Sequence, residues 1–418
     1  MENKLKIGLI GLGTVGGGVV KTLREFDGQI EIKTAAVRNL NKKRDVEVNE
    51  LTDDPFKIVN DPEIDVVVEV AGGIDPAFEL LKTAIKNKKH IVTANKELLA
   101  KHGAELFDLA NEYNVAILYE AAVAGGIPII MPIKTTLKGN KFKKVAGILN
   151  GTTNYILTQM EQKGISYQEC LKAAQELGYA EADPTGDVEG YDTMYKIATL
   201  ANITFNKRID VNKIYREGIT KISAQDIKFA DELGYKIKLI ALAQDNDGQI
   251  DVRVHPMLVS KSNVISGINN ALNAVMLEGF PVGQVMFTGP GAGEFPTASS
   301  VVGDILAIAA EYGKCETILP MTRCHHREMA SQTDILDTKN SYYISITAQN
   351  ALGVIGIIGT ACGKNKINIS SVLQKGTLED GTAHIIVITE TCSERDIQNA
   401  IEELKGQGIK INNLIRVM

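Results

Sequence analysis

The chain has 418 residues, of which 44% are hydrophobic and 23% charged, and its formal net charge is −6. This length exceeds one ordinary core, since domains typically have about 100–200 residues, so we expect two or three domains. The acidic balance and the absence of Trp argue against a nucleic-acid partner. No apolar stretch approaches the roughly 18 residues of a membrane helix, so no membrane partner is expected.

The N-terminal third alternates apolar strands with amphipathic helices, joined by short connections. This alternation predicts an α/β fold with a doubly wound parallel sheet of the Rossmann type, over residues 1–132. The predicted strands are Lys6–Ile10, Ile30–Val37, Asp65–Val70, His90–Val92 and Val115–Tyr119, and the predicted helices are Thr14–Phe26, Pro76–Asn87 and Lys96–Asn111.

The pattern changes after Pro132, and residues 133–296 predict an α+β domain with a mixed sheet. We expect helices at Thr153–Gln162, Tyr167–Leu177 and Gly190–Ala201, and strands at Lys144–Leu149, Tyr235–Gln244, Asp251–Leu258 and Val282–Thr288. The apolar stretch Thr297–Tyr312, within 297–316, predicts a helix that returns to the first domain.

The C-terminal quarter separates into a polar segment and a compact unit. Residues 317–340 are irregular and read as a linker. In residues 341–418 the order of predicted elements is βαββαβ, which is the ferredoxin-like arrangement. Its strands are Tyr343–Ala348, Ile369–Gln374, Ala383–Thr389 and Ile411–Val417, and its helices are Gly353–Lys364 and Ser393–Lys405.

A glycine-rich turn follows the first predicted strand and opens the first helix. Its sequence from Gly11 to Gly16 is G-x-G-x-x-G, with Gly13, Thr14 and Val15 inside it. Glycines allow the tight turn and the close approach of a pyrophosphate to the helix N-terminus, so we predict a dinucleotide site. NAD-specific sites carry an acidic residue about 20 positions on, whereas this chain has Arg38 there, which favours NADP over NAD.

Two further segments lie where the carboxyl ends of parallel strands would meet a ligand. Thr93 and Lys96 follow the fourth strand, which would bring an ammonium group near the nicotinamide. The loop from Glu120 to Ile127 is rich in glycine, and its carbonyls with one carboxylate could hold a monovalent cation through hard oxygen ligands. A helix-start lysine and a simple loop are the alternative readings.

The densest polar segment runs from Glu181 to Lys196 and includes Asp187 and Asp192. Asp192 and Lys196 are four residues apart, so they share one face of a helix. Such a mixture of carboxylates and a lysine could bind an α-ammonium group and protonate an alkoxide. A surface ion pair is the alternative reading.

The five cysteines are scattered, which favours reduced thiols in the cytoplasm over a disulfide framework. Cys315, Cys324, His325 and His326 invite a metal interpretation, but their spacing matches no zinc pattern and we do not predict a site there. The N-terminus shows no signal-peptide pattern, and we predict a cytoplasmic protein.

The chain resembles the homoserine dehydrogenases, in their long bacterial form with a C-terminal ACT domain. The resemblance covers essentially the whole chain and rests on Gly11–Gly16, Thr93–Lys96, Gly147–Ile156, Glu181–Lys196, Gly289–Gly293 and Pro296–Ala298. It implies reversible NAD(P)H-dependent reduction of L-aspartate 4-semialdehyde to L-homoserine, a step toward threonine, methionine and isoleucine.

The resemblance also implies roles for individual residues. Lys196 looks like the proton donor, with Lys96 its partner near the nicotinamide and Asp192 beside them; Glu181, Asp187, Asp192 and Lys96 look like substrate ligands. The implied cofactor residues are Gly11, Gly13, Thr14, Val15, Gly16, Arg38, Thr93, Lys96 and Gly293. The implied sodium ligands are Glu120, Val123, Gly125 and Ile127. Glu294 departs from the family pattern, which has a small residue there.

The domain organisation that the resemblance implies includes regulation and assembly. Residues 133–296 would bind substrate and form a homodimer or homotetramer, and residues 341–418 would bind an amino-acid effector, threonine, near Asn350–Gly353. One alternative is a non-catalytic sensor of nucleotide and amino acid, which would not need Lys96, Asp192 and Lys196. Another is aspartate-semialdehyde dehydrogenase, which needs a catalytic cysteine that we do not find at a strand end.

Overall fold

The computed structural model describes residues 4–26, 30–314, 319–375 and 379–418. Residues 315–318 therefore lie outside the described part. They include Cys315 and the junction between the predicted segments 297–316 and 317–340. The chain divides into two compact units. The first consists of residues 1–151, 192–212 and 272–330, and the second of residues 152–191, 213–271 and 331–418. Strands and helices are numbered along the chain.

The first unit contains a six-stranded sheet whose paired strands are all parallel, in the order β3-β2-β1-β4-β5-β6. The central strands are apolar on both faces, as expected of a sheet covered by helices on either side. Its strands are β1 (Leu5–Ile10), β2 (Ile30–Ala36), β3 (Leu51–Thr52), β4 (Val66–Glu69), β5 (His90–Thr93) and β6 (Ile117–Leu118). This confirms the predicted Rossmann-type sheet.

Helices surround this sheet, and one of them comes from much later in the chain. The last helix of the unit packs against the first, and Val301 and Ile305 join the core formed by Leu9 and Val19. The helices are α1 (Thr14–Leu23), α2 (Pro55–Asn60), α3 (Ala77–Lys86), α4 (Lys96–Glu112), α5 (Ile130–Lys134), α9 (Tyr191–Phe205) and α11 (Glu294–Glu311). Both β3 and α2 escaped the sequence analysis because they are very short.

Three antiparallel strands complete the first unit. Among them, β11 (Leu272–Phe280) lies between β7 (Lys141–Ile148) and β12 (Gly283–Pro290). The sequence analysis missed β11, although its buried run Asn273–Leu277 shows that it is a central strand. The glycine-rich segment Gly289–Gly293, which begins at the end of β12, leads directly into α11.

The second unit is built on one mixed sheet with the order β9-β10-β18-β14-β16-β15. The strands β9 and β10 form a long antiparallel hairpin, and β10 also pairs with the short strands β8 and β13. The early strands are β8 (Tyr215–Arg216), β9 (Tyr235–Asn246), β10 (Gln249–Ser260) and β13 (Ser331–Gln332), and the helices are α6 (Gly151–Lys163), α7 (Tyr167–Glu176), α8 (Thr185–Val188) and α10 (Ala224–Glu232).

The C-terminal part of this unit has the predicted βαββαβ order with its own apolar core. Its elements are β14 (Lys339–Gln349), α12 (Val354–Lys364), β15 (Ile369–Lys375), β16 (Thr382–Thr389), β17 (Cys392–Ser393), α13 (Glu394–Gly406) and β18 (Lys410–Val417). The ferredoxin-like arrangement is therefore confirmed. The segment preceding it is more ordered than a linker, since it includes a strand that pairs with β10 and a short 3-10 turn, Ile335–Asp337.

Within the described ranges, no helix combines the length and the apolar content that crossing a bilayer requires.

His90 gives the first unit a measurable dependence of stability on pH. Burial lowers the pKa of His90 to about 4, and its Nδ1 accepts a hydrogen bond from the backbone N–H of Ala116. In the unfolded chain His90 binds a proton near pH 6.5, whereas in the folded chain it does so only near pH 4. The contribution of neutral His90 to the free energy of unfolding is therefore fully present above pH 6.5 and is lost as the pH drops toward 4, by about 2 kcal/mol at pH 5.

Urea unfolding at pH 7 and pH 5 measures this loss. In His90→Asn the amide oxygen replaces Nδ1 as acceptor and does not titrate, so the variant should lose about 2 kcal/mol less than the parent between the two pH values. Equal losses in both proteins would show that His90 does not titrate as described.

Candidate active site

The glycine turn between β1 and α1 has the geometry that a dinucleotide site needs. Gly11 has a φ of +101°, and a Cβ there would lie 2.8 Å from the backbone nitrogen of Ala71. A Cβ at Gly16 would lie 2.1 Å from the carbonyl oxygen of Gly11, so both positions exclude a side chain. The space beside Gly13, by contrast, is open within 4 Å. A phosphate can therefore approach the start of α1 at Gly13.

Two cavities follow the carboxyl edge of the parallel sheet and share Val70, Ala71 and Gly72. The outer cavity has a volume of about 430 Å³ and lies beside Gly11, Gly13 and Arg38. The inner cavity has a volume of about 370 Å³ and is lined by Thr14, Val15, Lys96, Lys196, Gly293 and neighbouring residues. Together they give an extended dinucleotide space from Arg38 to Lys196. The residues present fit such a cofactor.

Cationic side chains line the outer cavity. Arg38 follows β2, and Lys42 and Arg44 line the same space. Arg44 donates hydrogen bonds to the carbonyl oxygens of Lys42 and Asn39, at 2.7 and 2.8 Å, and so fixes the loop. The sequence analysis selected only Arg38. The short basic run after it was the available signal for the other two.

Thr93 at the end of β5 is fully buried and does not line either cavity. Its hydroxyl donates to Glu69 at 2.9 Å and accepts from the backbone N–H of Asn95 at 3.0 Å. Glu69 in turn accepts from the backbone N–H groups of Ala71 and Gly72, both at 2.9 Å. Thr93 thus shapes the cavity wall through Glu69, and its predicted contact with the cofactor stays a prediction.

A lysine–aspartate–lysine cluster stands at the inner cavity. The Lys96 Nζ lies 2.6 Å from one carboxylate oxygen of Asp192, and the Lys196 Nζ lies 2.6 Å from the other. Lys96 opens α4, capped by Asn95, whereas Asp192 and Lys196 are one turn apart on α9, as their spacing predicts. Asp192 and Lys196 are buried, while the Lys96 side chain is 43% exposed.

Asp192 is an ionised carboxylate in a buried place. Burial alone would raise its pKa, but the ammonium groups of Lys196 and Lys96 outweigh burial and hold the pKa of Asp192 well below its ordinary value. Asn150 also donates to it at 3.0 Å, and Lys196 donates to the carbonyl oxygen of Leu149 at 2.8 Å. Sequence reasoning had assigned no role to Leu149 or Asn150, since they follow β7 and meet α9 only in the folded unit.

The Glu120–Ile127 loop follows β6 and is buried. The Glu120 carboxylate accepts backbone N–H groups of Ile129, Ile130 and Met131 at the start of α5, at 2.5 to 2.7 Å. Burial raises the pKa of Glu120. Burial and the neighbouring Glu120 carboxylate also raise the pKa of Asp304, which accepts a hydrogen bond from the backbone N–H of Glu120.

Within the loop, Val123 and Ile127 are also buried, and the carbonyl oxygen of Gly125 accepts the Ser300 hydroxyl at 2.7 Å. Two buried carboxylates beside backbone carbonyls form a hard, electronegative donor set, which suits a monovalent cation.

Gly293 lines the inner cavity, has a φ of +120° and is the N-cap residue of α11. The next residue, Glu294, has its carboxylate 2.7 Å from the Nζ of Lys21 on α1. This ion pair joins the two packed helices. The unexpected carboxylate is thereby engaged with α1, which explains how the position tolerates it.

Glu181 and Asp187, the remaining predicted substrate ligands, belong to the second unit, where Glu181 is exposed and Asp187 is half-buried. Their roles stay predictions.

Cys324, at which no site is predicted, is buried, with its Sγ 3.0 Å from both the Tyr119 hydroxyl and the Lys134 Nζ. Burial alone would raise the pKa of Cys324, but Lys134 and His326 lower it to about 6. Among the residues that the structure describes, no group of three or more His, Cys, Asp or Glu side chains could hold a metal ion.

Comparison with known proteins adds to this geometry. Residues 11–120 match the family "Homoserine dehydrogenase, NAD binding domain", residues 128–306 match "Homoserine dehydrogenase", and residues 342–408 match "ACT domain". The homoserine dehydrogenase of Synechocystis is 43% identical, with 99% of each chain covered. That of Pseudomonas aeruginosa is 41% identical, covering 96% of this chain and 95% of its own.

The chain belongs to the homoserine dehydrogenase family.

Solved structures agree with this assignment. The crystal structure of a homoserine dehydrogenase from Thiobacillus denitrificans matches with a TM-score of 0.92 at 36% identity, covering 99% of this chain and 98% of that one. A hyperthermophilic archaeal homoserine dehydrogenase in complex with NADPH matches with a TM-score of 0.64 at 26% identity, covering 74% of this chain and 98% of its own. The chain is thus an NAD(P)-dependent oxidoreductase that interconverts L-homoserine and L-aspartate 4-semialdehyde, and it carries an ACT domain.

Proposed function

We propose that Lys196 is the proton donor in the reduction of the aldehyde, with Lys96 beside the substrate and Asp192 holding both ammonium groups in place. The observation that carries this is the pair of 2.6 Å contacts that join the two lysines to one buried carboxylate. Lys96 and Lys196 line the same cavity as the glycine loop of the cofactor site.

The chemistry needs positive charge where the alkoxide forms. When bound, NAD(P)H supplies the hydride that the aldehyde carbon accepts. Negative charge then grows on the aldehyde oxygen, and the Lys196 ammonium stabilises that charge and transfers a proton to it, giving the hydroxyl of homoserine and a neutral amine. Water reprotonates the amine. In the oxidation the same amine removes the hydroxyl proton as the hydride leaves.

Orientation of Lys196 comes from its two neighbours. Asp192 and the carbonyl oxygen of Leu149 accept its hydrogen bonds at 2.6 and 2.8 Å, from two different elements. A flexible four-carbon side chain is thereby restricted to one direction, which lowers the entropic cost of proton transfer. Glu181 and Asp187 complete the proposal as ligands of the substrate's α-ammonium group, in a role carried over from the family resemblance.

We extend the proposal to NADP as the preferred cofactor. Arg38, Lys42 and Arg44 line the outer cavity, and no acidic residue stands at the end of β2, where NAD-specific sites hold the ribose. The archaeal relative was solved with NADPH, which agrees with this preference.

Replacing Arg38 by Ala should raise the KM for NADP about tenfold while changing that for NAD less than twofold, because a guanidinium–phosphate contact is a charge-assisted hydrogen bond worth about 1.5–3 kcal/mol. Initial rates with each cofactor measure this. Lys57→Ala is the matched control, since Lys57 lies on neighbouring α2 outside the lining of the cavity. An equal rise for both cofactors would contradict a phosphate-specific role.

A monovalent cation, sodium, is proposed for the Glu120 loop. Glu120, Val123, Gly125 and Ile127 would hold it through one carboxylate and backbone carbonyls, and it would offset the charge of the buried carboxylates. Replacing Na⁺ by tetramethylammonium at equal ionic strength should lower the melting temperature by several degrees. Glu120→Gln should remove this difference; an unchanged melting temperature in the parent would contradict the site.

We also propose that threonine is the effector at the ACT domain and that the chain acts as a homodimer or homotetramer. One experiment tests the function as a whole: absorbance at 340 nm with homoserine and either NADP or NAD, with and without threonine. Oxidation that prefers NADP and is inhibited by threonine is expected. If homoserine is not oxidised, the proposed residue roles are wrong. If threonine does not inhibit the oxidation, only the proposed effector is wrong.

A further inference from the structure

Besides β9 and β13, the strand β10 pairs over short stretches with β8 and β18, which come from very different parts of the chain. Arg253 and Val254 pair with Tyr215 and Arg216 of β8. A few residues further along β10, Met257 pairs with Arg416 of β18, the last strand of the ACT domain. Because both pairings are parallel and lie side by side on β10, β8 and the end of β18 are brought together.

The guanidinium of Arg416 on β18 forms hydrogen bonds and ion pairs that join β18 to β8. Arg416 is 1% exposed, and it donates to both carboxylate oxygens of Glu394 on α13, at 2.7 and 2.8 Å. It also donates to Glu217, immediately after β8, at 3.0 Å, and to the Tyr215 hydroxyl at 3.2 Å. A buried guanidinium with two carboxylates and a phenol has few alternative positions, since each displaced hydrogen bond would leave a charge unpaired.

Arg216, between Tyr215 and Glu217, contacts the segment that precedes Asp192. Arg216 donates to the carbonyl oxygen of Glu189, and its guanidinium lies 3.5 Å from the centre of the Tyr191 ring. Backbone contacts add to this, because the N–H of Ile219 donates to the carbonyl oxygen of Val188 at 2.8 Å.

Gly218 fixes the same contact sterically, since a Cβ there would lie 2.3 Å from the Val188 oxygen. The turn Val188–Tyr191 is thus held against the residues that follow Tyr215. In the sequence this turn connects Glu181 and Asp187, the proposed substrate ligands, to Asp192.

We infer that Tyr215–Glu217 is a relay that couples the ACT domain to substrate affinity. Arg416 and Glu217 form its ACT end, and Arg216 with Gly218 forms its substrate end. Displacement of β18 or α13 in the ACT domain would move Glu217, and with it the turn that sets the position of Glu181 and Asp187. The inference rests on the proposed roles of these two carboxylates, and it assigns Arg216 and Glu217 as positioning residues.

A relay of this kind changes the KM for homoserine selectively. The glycine turn and Arg38, which bind the cofactor, belong to the first unit and have no part in the relay. Perturbing the relay should therefore raise the KM for homoserine and leave kcat and the KM for NADP nearly unchanged. Coupling between distant groups is typically worth a factor of about 5–150 in affinity.

The test is steady-state kinetics of the full-length enzyme with Glu217→Gln and Arg216→Lys. Glu217→Gln keeps the size of the side chain and leaves Arg416 paired with Glu394. Each variant should raise the KM for homoserine about three- to tenfold, with kcat within twofold. The double variant should raise it by less than the product of the two, because both act through one element. Any change in KM caused by threonine should shrink toward onefold in Glu217→Gln.

Lys364→Gln is the matched control, since it removes a charged partner of Glu403 on the surface of the ACT domain without touching β8. It should behave as the parent does. The relay is refuted if both relay variants, folded by their melting curves, keep the parent's KM for homoserine, or if the KM for NADP rises equally. If threonine has no effect on the parent, the effector proposal fails, while the KM values of the variants still decide the relay.

Discussion

Lys196→Ala is expected to lower kcat by a factor of about 10²–10⁴, because the alkoxide would lose both its proton donor and a nearby positive charge. The KM for NADP should change little, since the proposed cofactor contacts are those of the glycine turn and Arg38. Stopped-flow measurement of a single turnover, with NADPH fluorescence as a separate binding assay, distinguishes loss of chemistry from loss of binding.

Lys207→Ala is the matched control for this result. Lys207 follows the same helix, but its side chain is 38% exposed and pairs with Glu328. Its removal should leave kcat unchanged, since exposed ion pairs contribute about 0–1 kcal/mol. A near-normal kcat in Lys196→Ala, with NADPH still bound, would exclude Lys196 as the proton donor.

Asp192→Asn is expected to reduce both activity and stability. The amide keeps the shape of the side chain but cannot balance two ammonium groups, and breaking a buried ion pair typically costs about 3–5 kcal/mol. The kcat should also fall at least tenfold, because Lys196 loses the charged group that orients it. Urea unfolding and initial rates at pH 7 measure the two effects on the same preparation.

The pH dependence of this stability difference follows from the direction of the shift. Burial opposes ionisation, but Lys196 and Lys96 hold the folded-state pKa of Asp192 below the unfolded value of 3.8. The carboxylate therefore stabilises the fold at pH values above 3.8, and this contribution is lost as the pH falls through the folded pKa. The difference between parent and Asp192→Asn should stay constant from about pH 8 to 5. A difference that shrinks across that range would mean that Asp192 is not held ionised by the lysines.

Local sequence signals predict most of the elements, and one helix was missed although it carries such a signal. The central strands β1 and β4 are apolar on both faces, and such runs specify a buried parallel strand. The helix α10 was overlooked although Ser223 and Asp226 form a capping box before it, which is a readable start signal. The central strand β11 was overlooked because its hydrophobic run is short; of its two partners, β12 follows it directly in a hairpin, whereas β7 lies far away in sequence.

The glycine turn, the order of the ferredoxin-like elements and the Asp192–Lys196 pair can be predicted from the chain, since each depends on residues close together along it. The folded structure was needed to show that Lys96 and Leu149 join that pair, because they come from distant parts of the chain, and that Arg416 meets Glu217, because β18 and β8 both pair with β10. It also directed Thr93 toward Glu69 and placed Lys42 and Arg44 beside Arg38. Burial and charge choose such partners only once the strands have been assembled.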